Sequence, residues 1–471
     1  MIAPKENRDL THTTHLLSRR MMVVLGGGLK LPLPSPLPCN PRQAPTQKLT
    51  PLLPKCVLTK QAHRFLSTLT ATTAASTTDK LIRKFVSSSP KSVALHTLSH
   101  LLSPRTSHPH LSSLALPLYT RISEASWFSW NPKLVADLVA LLDKQGHYNE
   151  WERLISEAVS KLELRERELA LFYCDLVESH SKRSSKRGFE VSYTHLNQLL
   201  RNSASVYVKR RCYESIVGGL CEMGRPREAE NVFEEMHVRG LKASRFEFRS
   251  VLYAYGRLGS FEDMQRIVHQ MENEGLGIDT VCSNMVLSAY GAHDKLAEMA
   301  SRLRKMKASG IPFSVRTYNS VLNSCPRIMA MLEVINGLPL SIEELSGVLN
   351  GDEALVVEEL VGSCSVLEEV MEWDSLEAKL DLHGMHLGSA YLIMLQWVEE
   401  LRLRLMDGKH VIPEQVTVVC GSGKHSSVRG KSPVKGLVRN MLVRMKSPMR
   451  NDRKNIGCFV CKGKVVRDWL C

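Results

Sequence analysis

Asp381 and His383 stand two residues apart in KLDLHGMH (379–386), at the end of a short apolar run and just before a helical stretch. A carboxylate beside an imidazole suits proton transfer, because a histidine titrates near neutral pH and serves as acid or base. Residues two apart on a strand point to one face. The two side chains would then emerge together at a strand end, where open α/β sheets place ligands. A plain strand end with a polar tip fits the same residues.

A second apolar run, EQVTVVC (414–420), leads into Gly421, Ser422, Gly423, Lys424, His425 and Ser426. Glycines let backbone N–H groups approach an anion, and such a loop before a helix favours a phosphate. Lys424 adds charge. The expected division of labour gives Asp381, His383 and His425 the proton handling, with His425 either a second proton carrier or a contact. Gly421, Ser422, Gly423, Lys424 and Ser426 form the anion cradle. Asp381 either orients His383 or holds a divalent metal such as Mg; the metal requirement stays open. Cys458 and Cys461 make a CxxC, but an odd separation on a strand turns them to opposite faces and no second CxxC follows, so no zinc is expected.

These residues need a scaffold. Over 379–471 the pattern reads strand, helix (SAYLIMLQWVEELRLRLM), strand, Gly-rich loop, helix (PVKGLVRNMLVRM), strand (NIGCFVCKG) and strand (KVVRDWL), a small two-layer α/β sandwich. From Gly408 to Cys471 there are fourteen Lys or Arg against three acids, so the chain's net charge of +14 is concentrated here. A surplus of that size favours polyanions. Upstream, 328–378 holds twelve acids and no Lys or Arg, and its apolar spacing predicts an acidic helical spacer that caps what precedes it. A contact between this spacer and the basic C-terminal region is a second expectation.

The middle of the chain repeats. Segments 210–244, 245–279 and 280–314 are each 35 residues and abut without gaps, with Met236, Met271 and Met306 in one register and Gly240, Gly275 and Gly310 in another. A partial copy covers 315–327, and a looser one, 132–166, lies upstream across an irregular stretch. Each unit reads as two amphipathic helices, which bury their apolar faces only by stacking into a solenoid.

A 35-residue helical hairpin with a Met-to-Gly tail resembles the pentatricopeptide repeat family. That resemblance implies single-stranded RNA binding at one base per repeat, read by the fifth and last residues of each unit. The matching positions are Glu214 with Ser244, Arg249 with Asp279, Asn284 with Ser314, and Asn319 without an assignable partner. Glu214 and Arg249 depart from the usual residue types. LDLHG, the Gly-x-Gly-x-His-Ser loop and the N-x-G before the last strands resemble the small MutS-related (Smr) domain. Cys420 stands where that loop usually has Thr. The resemblance implies nucleic-acid binding and, in some members, RNA endonuclease activity.

Residues 1–78 form a separate leader. After Asp9 the next acid is Asp79, and between them lie eight Lys or Arg, sixteen Ser or Thr and eight Pro, which resembles an organelle transit peptide. Chloroplast is the expected address, mitochondrion the second. Residues 79–131 read as a poorly defined helical segment, followed by repeats over 132–327. No apolar run reaches membrane-spanning length, and twelve scattered cysteines suit free thiols. The expected architecture is an α-helical solenoid followed by the small sandwich, and the expected role is binding of single-stranded RNA with cleavage or processing at the C-terminal site. Binding that stabilises RNA or aids translation without catalysis, a protein scaffold, and a DNA-binding or nicking nucleoid protein are the alternatives.

Overall fold

Repeats of 35 residues require three parts at fixed spacing, and a computed structural model of the chain supplies all three. It describes residues 58–69, 75–104, 109–363, 365–406, 410–421 and 432–470, all within one unit, Pro45–Cys471. The first part is a core methionine: Met236, Met271 and Met306 are each fully buried on the second helix of their hairpins. The second is the turn that follows. Leu241, Leu276 and Ile311 donate backbone N–H bonds of 2.9 Å to the carbonyls of those methionines, and Gly240, Gly275 and Gly310 take φ of +72°, +74° and +64°. This is the Schellman end, which needs a left-handed residue and so favours glycine four residues after the methionine. The third is an N-cap. Ser244, Asp279 and Ser314 accept bonds from the first-turn N–H groups of helices Arg245–Leu258, Thr280–Ala292 and Val315–Leu322.

Helical hairpins run further upstream than the repeats read by eye. Helices Pro132–Gln145 and Tyr148–Leu162 form the loose copy, and Glu166–Lys182 with Lys186–Asn202 form another hairpin in the stretch expected to be irregular. There Ser184, at φ +51°, takes the left-handed turn position that glycine fills elsewhere, which hid the repeat. Order also begins within the 78-residue leader. Helix Lys60–Thr68 carries Phe65, whose ring stacks on Phe85 with centroids 4.0 Å apart.

The acidic spacer binds the solenoid. Helix Gly351–Val361 packs on helix Leu296–Ala308, and Glu359 pairs with Arg304 at 3.0 Å and Lys307 at 2.6 Å. Glu353 is buried and accepts the N–H groups of Arg327 and Ile328 at 3.2 and 2.9 Å, capping helix Pro326–Glu333. The spacer also meets the C-terminal region: Arg444 Nη1 donates to the Leu338 carbonyl at 2.6 Å, Tyr391 Oη donates to that of Pro339 at 2.8 Å, and Lys379 pairs with Glu372 at 3.1 Å.

The C-terminal region is a five-stranded sheet in the order β1-β2-β3-β5-β4, with β1 Met371–Trp373, β2 Glu377–Asp381, β3 Gln415–Val419, β4 Arg450–Asn451 and β5 Cys458–Lys462. Only β2 and β3 are parallel; Glu377 pairs with Gln415 and Asp381 with Val419. A parallel pair needs a crossover, supplied by the largely buried helix Leu387–Met406. Two expectations change. The sheet starts at Met371, inside the stretch read as spacer, because a three-residue edge strand leaves no periodic signal. The last segment, read as a strand, is the helix Gly463–Leu470: Val465, Val466, Trp469 and Leu470 have helical spacing, and Val466 is fully buried. None of the described helices is long and apolar enough to cross a membrane. The eight cysteines described as free include Cys458 and Cys461.

Candidate nucleic-acid interface

The fifth and last residues of a repeat lie far apart in sequence yet meet in two of the three complete copies. The Arg249 guanidinium pairs with the Asp279 carboxylate, and Asn284 Nδ2 donates to Ser314 Oγ at 3.3 Å. Thr317 Oγ1 donates to Asn284 Oδ1 at 2.7 Å, so this amide is buried with both ends engaged. Glu214 differs: its carboxylate pairs with Arg211 on its own helix, while Ser244 forms a capping box with Glu247. Each last residue is therefore a helix cap, a structural duty that accounts for Ser and Asp at those positions.

In β2 the pleat alternates through the motif. Ala378, Leu380 and Leu382 are buried; Lys379, Asp381 and His383 are not. Asp381, at the end of β2, and His383, in the turn beyond it, both stay unburied on either side of Leu382. Asp381 Oδ1 accepts the backbone N–H of His383 at 2.9 Å, so the carboxylate shapes the turn rather than holding the imidazole. The ring lies beside the start of the glycine loop, since a Cβ on Gly421 would sit 3.6 Å from His383 Cδ2. Ser422, Gly423, Lys424, His425 and Ser426 lie outside the described residues. Cys420, just before them, is buried, and burial pushes its thiol up to about 12. It is a packed side chain, not a nucleophile. Among the described residues no three His, Cys, Asp or Glu side chains converge as a metal would require.

The structure adds residues that spacing does not reveal. The turn Asp452–Gly457 lies against the site, with the Cys420 N–H donating to the Gly457 carbonyl at 2.9 Å. Arg453 and Lys454 are exposed on this turn, and Lys435 donates to the Ile456 carbonyl. The N-x-G at Asn455–Gly457 was the only sequence sign of this turn.

Asn319 faces the chain itself. Its Nδ2 donates to the Gly384 carbonyl at 3.2 Å and its Oδ1 accepts the His386 N–H at 2.8 Å. One helical turn on, Asn323 Nδ2 lies 2.6 Å from His386 Nδ1. An amide nitrogen only donates, so Nδ1 accepts. Burial lowers the His386 pKa below its ordinary 6.5 although the residue keeps an exposed edge. A depressed histidine contributes stability that is fully present above 6.5 and is lost as pH falls through the lower folded value. Acidification from pH 7.5 to about 5 therefore loosens this contact. The thermal midpoint of His386→Gln is expected to depend less on pH over that range than that of the parent; parallel curves would contradict the assignment.

Known proteins extend the picture. The PPR repeat profile matches residues 211–241 and 248–276, and the pentatricopeptide repeat domain profile matches 266–327. A pentatricopeptide repeat-containing protein of Arabidopsis thaliana is 57% identical over 417 residues, covering 88% of this chain and 82% of the relative. The chain belongs to the pentatricopeptide repeat family. Two further pentatricopeptide repeat-containing proteins of the same plant are 29% and 30% identical over 91 residues, which is 10% of each. Among solved structures, the pentatricopeptide repeat protein PPR10 from maize aligns with a TM-score of 0.34 at 15% identity, over 82% of this chain and 55% of that one. PPR10 in complex with an 18-nt psaJ RNA element gives 0.30 at 16%, over 64% of this chain and 47% of that one. The chain thus spans about half the length of these solved pentatricopeptide repeat proteins, and scores this low align no site residues.

Proposed function

We propose that the chain is an organellar, chloroplast-addressed RNA-binding protein whose repeats hold single-stranded RNA and whose C-terminal sheet, a small MutS-related domain by its motifs, acts on the RNA at the His383 turn. The observation that carries this reading is the juxtaposition of Asp381, His383 and Gly421 at one sheet edge, with the last repeat hydrogen-bonded to the same turn. Chemistry at that edge is phosphodiester cleavage. The His383 imidazole takes the proton of a ribose 2′-OH as that oxygen attacks phosphorus. The bond from phosphorus to the 5′ oxygen breaks, and the departing oxygen takes a proton from an acid or water. The products are a 2′,3′-cyclic phosphate and a 5′-hydroxyl end. Arg453 and Lys454 supply positive charge beside the strand.

Binding without cleavage is the second reading. It is favoured by Cys420, a buried thiol where the loop usually carries a hydroxyl.

Salt separates both from a protein scaffold. Each phosphate neutralised on a single strand adds about 0.7 to the slope of log affinity against log salt. Affinity for a labelled single-stranded RNA is expected to fall steeply between about 50 and about 200 mM salt, with single-stranded DNA a weaker competitor. A flat response, or equal competition by DNA, would remove the RNA assignment.

A further inference from the structure

Fifth positions of the repeats form a row at 35-residue steps: Glu214, Arg249, Asn284, Asn319. In the second and third copies the fifth residue meets the last residue of its own copy. The fourth copy has no such partner. Its last position by count is Leu349, a buried apolar residue in the spacer. The place of that partner is filled from 65 and 67 residues away, by the Gly384 carbonyl and the His386 N–H. Asn323 adds a bond one turn along the same helix. Behind them the fit is close: a Cβ on Gly388 would sit 3.0 Å from Leu322 Cβ.

We infer that Asn319 is a positioning residue that fixes the His383 turn one repeat step beyond the Asn284–Ser314 pair, so that the fourth step of the row presents His383 where a base-reading side chain would stand. The inference rests on the RNA-binding reading and adds a register to it. Both amide ends of Asn319 are engaged by the C-terminal turn rather than by a residue of its own repeat, so the turn stands where the fourth pair would otherwise form. His383 is exposed and adjoins Gly384, the residue Asn319 holds. The nucleotide that meets His383 is therefore the neighbour of the nucleotide at Asn284, independent of its base.

The test uses the full chain with a single-stranded RNA pool randomised one position at a time, and the same RNA carrying 4-thiouridine at successive positions. Asn284→Ala is expected to change base preference at one nucleotide. Asn319→Asp, which keeps the acceptor for the His386 N–H, is expected to change it at none. Crosslinks to the peptide containing 380–386 should come from the nucleotide next to the Asn284-sensitive one in the parent, and spread over several in Asn319→Ala. Asn323→Ala, which leaves the Asn319 bonds intact, should keep them on that nucleotide. A change of base preference in Asn319→Asp, or an unspread crosslink in a folded Asn319→Ala, overturns the inference. Loss of all RNA binding by the parent would instead sink the RNA reading, and this inference with it.

Discussion

His383→Ala protein is expected to bind single-stranded RNA as the parent does and to cut it about 100-fold to about 10,000-fold more slowly, the usual span for removing a general acid or base. The binding half follows from position: His383 is exposed beyond the end of β2 and supports no core contact. The rate half follows from its being the one described imidazole against the glycine-loop entry. Asp381→Ala should lose less. Its Oδ1 holds the His383 N–H at 2.9 Å, so its removal loosens the turn and leaves the proton acceptor in place. End-labelled RNA on a denaturing gel reads both variants. If the parent binds but does not cut, the Cys420 observation gains force and the sheet is a binding module.

Gly463→Ala should be among the most damaging single-methyl changes in the C-terminal region. Gly463 joins β5 to the last helix, and an added Cβ would lie 1.8 Å from the Pro413 carbonyl oxygen and 2.9 Å from its carbon. Both are backbone atoms of the segment leading into β3. The two segments are also tied, because the Gly463 N–H donates to the Glu414 carbonyl at 3.0 Å. Overpacking of this kind costs about 1–3 kcal/mol. In a region of this size each 1 kcal/mol lowers a melting midpoint by about 4–8 °C. Differential scanning calorimetry should show an early transition in Gly463→Ala while RNA affinity through the repeats persists. An unchanged thermogram would mean that the β5 junction relaxes freely.

Legibility in the sequence followed the physics of each element. Copies 210–314 were readable because the methionine, the left-handed glycine and the N-cap recur at one period, and all three are backbone or core requirements. The 166–202 hairpin was hidden because Ser184 makes its turn without glycine. Val465 and Val466 suggested a strand, and only the position of Trp469 and Leu470 marks the helix. At the site, the alternation of unburied Asp381 and His383 with buried Leu380 and Leu382 was readable from a period of two. The Asp381 bond to backbone rather than imidazole was not, since both geometries share one spacing. The partner of Asn319 was unreadable for another reason: it lies across 65 residues, on an element with no repeat character.

One measurement bears most directly on the account: mass-spectrometric mapping of peptides crosslinked by ultraviolet light to a single bound RNA. The account predicts crosslinks from one RNA molecule to repeat peptides within 245–325 and to the peptide carrying Asp381 and His383. Crosslinks confined to the repeats, with none at that turn, would contradict it.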